Sequence, residues 1–150
     1  MSLQQTIDQD IKSAMLSKDS ERLRGLRAIK AALLLAKTEK GAEEGISEEM
    51  EVKVLQKLVK QRKESADIYQ AQNRPDLYQI ENEELLVIEA YLPQQMDRLA
   101  ITLHIKDAIV RTGANTMKDM GKVMGIVNKE LSGKADGKTI SEVVKEILGN

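Results

Sequence analysis

The 150-residue sequence contains no cysteine, no tryptophan and no phenylalanine, and it has a single histidine and three tyrosines. Without cysteine the chain forms neither disulfides nor thiolate metal sites, and one histidine excludes a metal site built on two histidines. The scarcity of aromatic residues argues against a sheet that stacks RNA bases on aromatic side chains. We therefore predict no metal site and no cofactor.

Neither sign of charge dominates the sequence, since 23 Lys and Arg are balanced by 24 Asp and Glu for a net charge of −1. This balance argues against a polybasic protein and against attraction to anionic membranes. No apolar run approaches the roughly 18–20 residues of a membrane span, and the N-terminus lacks the basic and apolar regions of a signal peptide. The sequence predicts a cytoplasmic protein without membrane attachment. It does not fix the oligomeric state, for which a monomer is the default expectation.

Apolar residues recur at three- and four-residue steps along the chain, and the many Ala, Leu, Lys, Glu and Gln residues also favour helix. Pro93 is the predicted domain boundary, because proline disfavours helical geometry in the residue before it. The predicted architecture is all-α, with a helical bundle over residues 1–93 and a small three-helix domain over residues 94–150. The predicted helices span about 3–17, 20–37, 47–71, 77–90, 97–112, 117–131 and 139–148.

Capping residues define several of these helix ends. Ser47, followed by three glutamates within four residues, is predicted to start the third helix, and Asp76 is predicted to cap the fourth. Gly113 is predicted to end the fifth helix in the usual C-terminal manner. The segment Gly41–Gly45 is predicted to be a polar loop.

The helices after Pro93 raise questions about which faces are buried. The apolar residues Leu99, Leu103, Ile109 and Val110 are predicted to lie on or near the inner face of the fifth helix. A methionine stripe on the sixth helix favours a core position, with a groove for a partner helix as the alternative. The stripe consists of Met117, Met120 and Met124.

Gly121 and Gly125 frame a short stretch that superficially suggests a phosphate loop. The Walker spacing is missing and no strand precedes the stretch, so phosphate-loop chemistry is not favoured. The preferred interpretation is that both glycines let helices approach each other closely.

Two charged residues lie among apolar ones on their predicted helices. Arg27 lies at the edge of the apolar face of the second helix, and Glu84 lies among the apolar residues of the fourth. Because a buried charge must be paired, we predict an Arg27–Glu84 ion pair between the two helices. The alternative is a functional site in the N-terminal bundle.

No catalytic residue is singled out. His104 shares a predicted helix face with Asp107 and Arg111, which is typical of a solvated face rather than of a general base. A glycine-rich part of the chain is more informative. Residues 1–93 carry 14 Lys/Arg and 17 Asp/Glu (net −3), whereas residues 94–150 carry 9 and 7 (net +2). Lysines in the net-positive part surround glycine-rich turns near predicted helix ends.

These lysines predict contacts to the phosphates of a nucleic acid, since backbone amides at helix starts and lysine side chains both bind phosphate. An ordinary solvated basic edge is the other interpretation. The predicted nucleic-acid-binding residues are Lys118, Lys122, Lys134 and Lys138, with Gly121, Gly133 and Gly137 allowing close approach to the backbone.

Three motifs in order resemble the GatB/YqeY family over essentially the whole chain. They are Tyr91-Leu92-Pro93-Gln94-Gln95, Met117-Lys118-Asp119-Met120-Gly121-Lys122-Val123-Met124 and Gly133-Lys134-Ala135-Asp136-Gly137-Lys138. The earlier Leu26-Arg27 and the pair Glu81 and Glu84 also resemble the stand-alone YqeY-like members. Gly125 departs from a helix-forming pattern.

The resemblance implies an all-helical protein whose second part is similar to the tail domain of the GatB subunit of the tRNA-dependent amidotransferase. In that family the tail domain contacts tRNA and contains no catalytic centre, although the family label often carries a term for carbon–nitrogen ligase activity with glutamine as amido donor. The chain lacks both a kinase-like core and an amidase, so we expect no catalysis by the chain alone.

The leading hypothesis is a tRNA-binding accessory module that acts alone or with an aminoacyl-tRNA synthetase or a tRNA amidotransferase. The alternative is a protein–protein adaptor whose N-terminal bundle docks such an enzyme. That alternative predicts an apolar patch of some hundreds of Å² on the surface of residues 1–93.

Overall fold

The computed structural model describes residues 2–40 and 45–149, and the described part of the chain is helical with no strand. The predicted all-α class is therefore confirmed. Most of the loop predicted at Gly41–Gly45 lies outside the described residues. The helices are α1 Leu3–Leu16, α2 Ser20–Lys40, α3 Glu48–Ala71, α4 Pro75–Glu89, α5 Arg98–Thr112, α6 Met120–Glu130 and α7 Gly137–Leu148. Two compact units divide the chain, the N-terminal unit Met1–Leu92 and the C-terminal unit Pro93–Asn150.

Local capping explains where several helices begin and end. The hydroxyl of Ser47 accepts a hydrogen bond from the backbone N–H of Met50 and begins α3, which has three glutamates at its positive end. Gly113 ends α5 in the left-handed conformation, with φ of 70°. The prediction that Asp76 caps α4 is wrong, since the helix starts at Pro75. Proline suits the first helical position because its missing N–H would have no partner there.

The core of the N-terminal unit is formed by four helices, in which α3 packs on α4 and α2 packs on α1 and α4. Its fully buried side chains are aliphatic, and include Ile7, Leu26, Ile29, Leu55 and Ile88. A glycine allows α2 and α4 to come close. A Cβ added at Gly25 would lie 2.7 Å from the Cβ of Val87. No side chain larger than hydrogen fits that crossing without displacing a helix.

The C-terminal unit packs α5, α6 and α7 around one aliphatic core. The predicted inner face of α5 is wrong for three of its four residues. Leu99, Leu103 and Val110 are 68%, 60% and 81% exposed, whereas Ile109 packs partly buried against the core. The buried residues of α5 are Ile101, Ile105 and Ala108. Because apolar residues occur on more than one face of α5, their spacing alone did not identify the buried face.

The start of the predicted sixth helix also differs from the prediction. Residues Met117–Asp119 form a single 3₁₀ turn before α6 begins at Met120. Met120 and Met124 pack partly buried against the core, whereas Met117 is 46% exposed. The methionine stripe is therefore a core feature at two of its three positions.

The interpretation of Gly121 and Gly125 as points of close helix approach is wrong. Among the described residues, nothing lies within 4 Å of a Cβ built at either glycine. Gly125 therefore weakens α6 without a packing benefit. We expect Gly125→Ala to stabilise the C-terminal unit by about 0.5–1 kcal/mol, since alanine has the higher helix propensity. Urea unfolding followed by circular dichroism measures this change, and a destabilised variant would contradict it.

The predicted Arg27–Glu84 ion pair is also wrong. Arg27 is exposed. The carboxylate of Glu84 instead faces Arg62 of α3, with Nε 3.2 Å from Oε2. Both side chains are mostly buried, at 16% and 19% exposed. The expectation that Glu84 needs a cationic partner is confirmed, but the partner, Arg62, lies on α3 and not on α2.

Removing the guanidinium of Arg62 leaves Glu84 partly buried without its cation. We expect Arg62→Met to lower the free energy of unfolding by about 1–3 kcal/mol. The matched control is Arg74→Met, which breaks the exposed Arg74–Asp76 pair and should cost less than about 1 kcal/mol. Urea unfolding compares the two variants. Equal stability of the two would show that the Arg62–Glu84 pair contributes no more than an exposed pair.

Candidate nucleic-acid interface

The four predicted lysines lie on the hairpin that α6 and α7 form. Lys118 is in the 3₁₀ turn and Lys122 is in the first turn of α6. Lys134 is in the connection between the two helices, and Lys138 is in the first turn of α7. All four residues are exposed.

The structure divides these lysines between the two ends of the hairpin. A Cβ built on Gly149 would lie 3.8 Å from Sδ of Met117, so the 3₁₀ turn with Lys118 lies beside the C-terminal end of α7. Lys138 is at the opposite end of that helix. A 12-residue helix is about 18 Å long. Lys118 and Lys122 therefore form one end, and Lys134 with Lys138 forms the other, rather than all four forming one cluster.

Asp119 shapes the backbone at the first end. Its Oδ2 accepts hydrogen bonds from the backbone N–H of Asn115 at 3.0 Å and of Thr116 at 3.3 Å. These two bonds lower the pKa of Asp119, and the charge of Lys122 lowers it further. The carboxylate thus stays ionised and holds the turn that presents Lys118 and Lys122.

The second end is tied to the segment that precedes α5. The carbonyl of Lys134 accepts from the N–H of Met96 at 2.8 Å, and the carbonyl of Gly133 accepts from Nε2 of Gln95 at 2.8 Å. Gly133 has φ of 77°, a conformation that favours glycine. Asp136 caps α7 by accepting from the N–H of Lys138 at 3.3 Å. Lys134 and Lys138 are therefore carried by a well-anchored backbone.

The carboxylates of the C-terminal unit are matched to arginines and to helix starts. Arg98 binds Glu142 and Glu146, and Arg111 binds Asp107 and Glu130. The remaining three carboxylates accept from backbone N–H groups at turns or helix starts, namely Asp97, Asp119 and Asp136. These seven residues are all the Asp and Glu of residues 94–150.

The lysines of the same unit form no ion pair within 4 Å among the described residues. Within residues 2–40 and 45–149, no carboxylate lies within 4 Å of the ammonium of any lysine after Pro93. The cationic side chains of the unit that form no close ion pair are therefore its lysines, whereas both of its arginines bind carboxylates. The lysines are Lys106, Lys118, Lys122, Lys129, Lys134, Lys138 and Lys145.

Two of the three predicted glycines leave backbone accessible beside these lysines. Gly121 and Gly137 are exposed, and in the described part of the chain nothing lies within 4 Å of a Cβ built on either. Gly121 precedes Lys122, and Gly137 precedes Lys138. Gly137 is the first residue of α7, where backbone N–H groups have no helical partner. Gly121 lies in the first turn of α6 and follows the 3₁₀ turn, whose Met117 carbonyl accepts from the N–H of Met120.

His104 has a structural role that its predicted solvated face did not show. Its Nε2 lies 3.4 Å from Oε2 of Glu130 on α6, and Arg111 binds the same carboxylate at 2.9 Å. Arg111 lowers the pKa of Glu130 most, and His104 lowers it further. This cluster connects α5 to α6, and only the partner helix could have revealed it.

The architecture and site define a class: a two-unit, all-helical protein with an unpaired lysine surface on its second unit. The chain belongs to the YqeY-like protein family, whose model matches residues 4–148. It is 30% identical to "Altered inheritance of mitochondria protein 41, mitochondrial" of Meyerozyma guilliermondii, over 95% of this chain and 74% of that protein. It is 33% identical to the protein of the same name from Clavispora lusitaniae, over 82% of this chain and 72% of that protein.

Both relatives are named as mitochondrial proteins, and the cytoplasmic location predicted for this chain stays a prediction. Across the residues that the structure describes, no helix is both long enough and apolar enough to span a membrane.

Proposed function

We propose that the chain is an RNA-binding accessory protein whose C-terminal unit contacts the phosphate backbone of tRNA. The observation that carries this proposal is the charge distribution of that unit. Its carboxylates bind arginines or backbone N–H groups at turns and helix starts, and among the described residues no carboxylate lies within 4 Å of a lysine ammonium. Unpaired lysines on an anchored backbone provide phosphate contacts without sequence readout.

The separation of the two lysine pairs supports a folded RNA as the ligand. Lys122 and Lys138 lie in the first turns of α6 and α7, at opposite ends of the hairpin, about 12–15 Å apart along the helix axes. A surface of this length spans several phosphates, since successive phosphates of a nucleic-acid strand are only a few ångströms apart along the helix axis. A single small anion would engage only one of the two ends.

The resemblance of the C-terminal unit to the GatB tail domain favours tRNA over other RNAs and implies a role without catalysis. An aminoacyl-tRNA synthetase or a tRNA amidotransferase is the partner enzyme that we propose on the same basis. The net charge of −1 means that the chain's own affinity for RNA rests on local lysines rather than on overall attraction.

Fluorescence anisotropy of labelled, deacylated total tRNA tests this proposal over a range of salt concentrations. Each phosphate contact contributes about −0.7 to −0.9 to the slope of log K against log salt, so contacts by four lysines predict a slope near −3. Poly-glutamate, which has charge but no phosphate, is the control competitor. No binding at low salt, or binding without salt dependence, would contradict the proposal.

A further inference from the structure

An open cleft in the N-terminal unit has no part in the RNA proposal. It lies between the first turn of α2 and the last turns of α4, and its volume is about 360 Å³. That volume is near the lower end of the range for pockets that bind ligands or side chains. Its walls are formed by Asp19, Glu21, Arg22, Glu83, Leu86, Val87, Ala90 and Tyr91.

The cleft is held open by fixed contacts on two sides. On one side, Gly25 packs directly against Val87, where α2 and α4 approach most closely. On the other, the hydroxyl of Tyr91 donates to the carboxylate of Asp10, and Nη2 of Arg22 lies 3.7 Å from the same carboxylate. Burial raises the pKa of Tyr91, as does its bond to Asp10, so the hydroxyl keeps its proton at neutral pH. The cleft is therefore bordered on two sides by specific contacts within the N-terminal unit.

Part of the cleft wall is apolar. Val87 and Ala90 line it, and Leu86 leaves 60% of its surface exposed at its edge. Covering an exposed leucine removes apolar surface from water and favours an apolar partner side chain.

Another part of the cleft wall is acidic. Three carboxylates line it against one guanidinium, for a formal charge of −2. Glu83 is bound by Arg24 at 2.8 Å, and the positive charge of Arg22 is faced by Asp10. Glu21 makes no ion pair within 4 Å in the part of the chain that the structure describes. A positive group in the cleft would therefore meet a carboxylate that has no ion-pair partner among the described residues.

We propose that this cleft docks a basic amphipathic segment of a partner protein. An apolar side chain of the segment covers Leu86, and a lysine or arginine beside it faces Glu21. The same carboxylates repel phosphate, so this surface is separate in chemistry from the lysine surface of the C-terminal unit. The proposal does not depend on RNA binding, and each can fail without the other.

A labelled peptide of about 18 residues tests the proposal, with leucines at three- and four-residue steps and lysines beside them. We expect saturable binding to the full chain at low salt, with amide chemical shifts moving around Leu86, Ala90 and Tyr91 in NMR spectra. Glu21→Lys and Leu86→Glu should each weaken binding about threefold to tenfold. Both residues are exposed, so the variants should fold.

Matched controls lie on α2 outside the cleft. Glu39→Lys makes the same charge change at an exposed glutamate, and Leu35→Glu makes the same change at a leucine that is 61% exposed. Neither should alter binding. The proposal is overturned if the peptide does not bind, if all four variants bind it equally, or if a peptide with glutamate in place of lysine binds as well. Self-association that Leu86→Glu abolishes would make a second copy the occupant instead.

Discussion

Replacing Gly25 by valine is expected to destabilise the N-terminal unit by about 3 kcal/mol. A Cβ at this position would lie 2.7 Å from both Cβ and Cγ1 of Val87, and the Cβ is fixed to the backbone of α4. Rotation of the Val87 side chain therefore cannot relieve the overlap, and the two helices must separate. Tyrosine fluorescence during urea unfolding reports on this unit alone, because the three tyrosines lie at positions 69, 78 and 91.

Two further variants separate this overlap from a general effect of valine in a helix. Gly125→Val places the same residue on α6 where the described structure leaves open space, and should change the stability of the C-terminal unit by less than about 1 kcal/mol. Circular dichroism during urea unfolding measures this change, because the three tyrosines all lie in the N-terminal unit. Adding Val87→Ala to Gly25→Val should recover part of the lost stability, since it removes two of the overlapping carbons. If Gly25→Val and Gly125→Val were equally stable relative to the parent, the close crossing of α2 and α4 would be contradicted.

Local signals in the sequence were sufficient for most helix ends. Ser47 and Gly113 act within a few residues of themselves, through a side-chain cap and a left-handed backbone, so no knowledge of the tertiary structure was needed. Asp76 failed because Pro75, one residue earlier, is the stronger signal for a helix start. The prediction failed because two local signals gave different start residues for α4 and the weaker one was chosen.

Contacts between helices could not be predicted from the sequence. The helical spacing of the fourth helix correctly placed Glu84 among apolar residues. Its partner Arg62 lies on α3, and no local sequence pattern could identify that pairing. Nothing in the sequence distinguishes Gly25 from other helical glycines, because its constraint comes from Val87 on another helix. Leu99 and Leu103 show the same limit on α5, because the spacing of Ile101 and Ile105 is equally helical.

The lysine surface lies between these two cases. The sequence identified the lysines through turns and motifs, and the structure confirms that Lys134 and Lys138 are exposed. Their separation from Lys118 and Lys122 depends on how α6 packs against α7 and was not predictable from the sequence. The pairing of arginines with carboxylates, which leaves the lysines unpaired, also depends on contacts between helices such as Arg98 with Glu142.

The double replacement Lys134→Ala and Lys138→Ala is expected to lower the affinity for tRNA about tenfold at moderate salt and to flatten the salt slope by about 1.5. Both lysines are exposed, and they contribute only backbone atoms to the hydrogen bonds that anchor their loop, so the variant should retain its fold. Circular dichroism checks the fold, and anisotropy of labelled tRNA at several salt concentrations measures the slope.

The matched control is Lys57→Ala with Lys60→Ala, two exposed lysines of α3 that have no carboxylate within 4 Å among the described residues. This variant removes the same total charge, so an equal loss of affinity would mean that net charge, rather than the hairpin, sets binding. Lys118→Ala with Lys122→Ala then tests the length of the surface. If the RNA contacts both ends of the hairpin, the slope of log K against log salt should flatten by a similar amount in either hairpin variant. If it contacts a single end, only one of the two variants should change the slope.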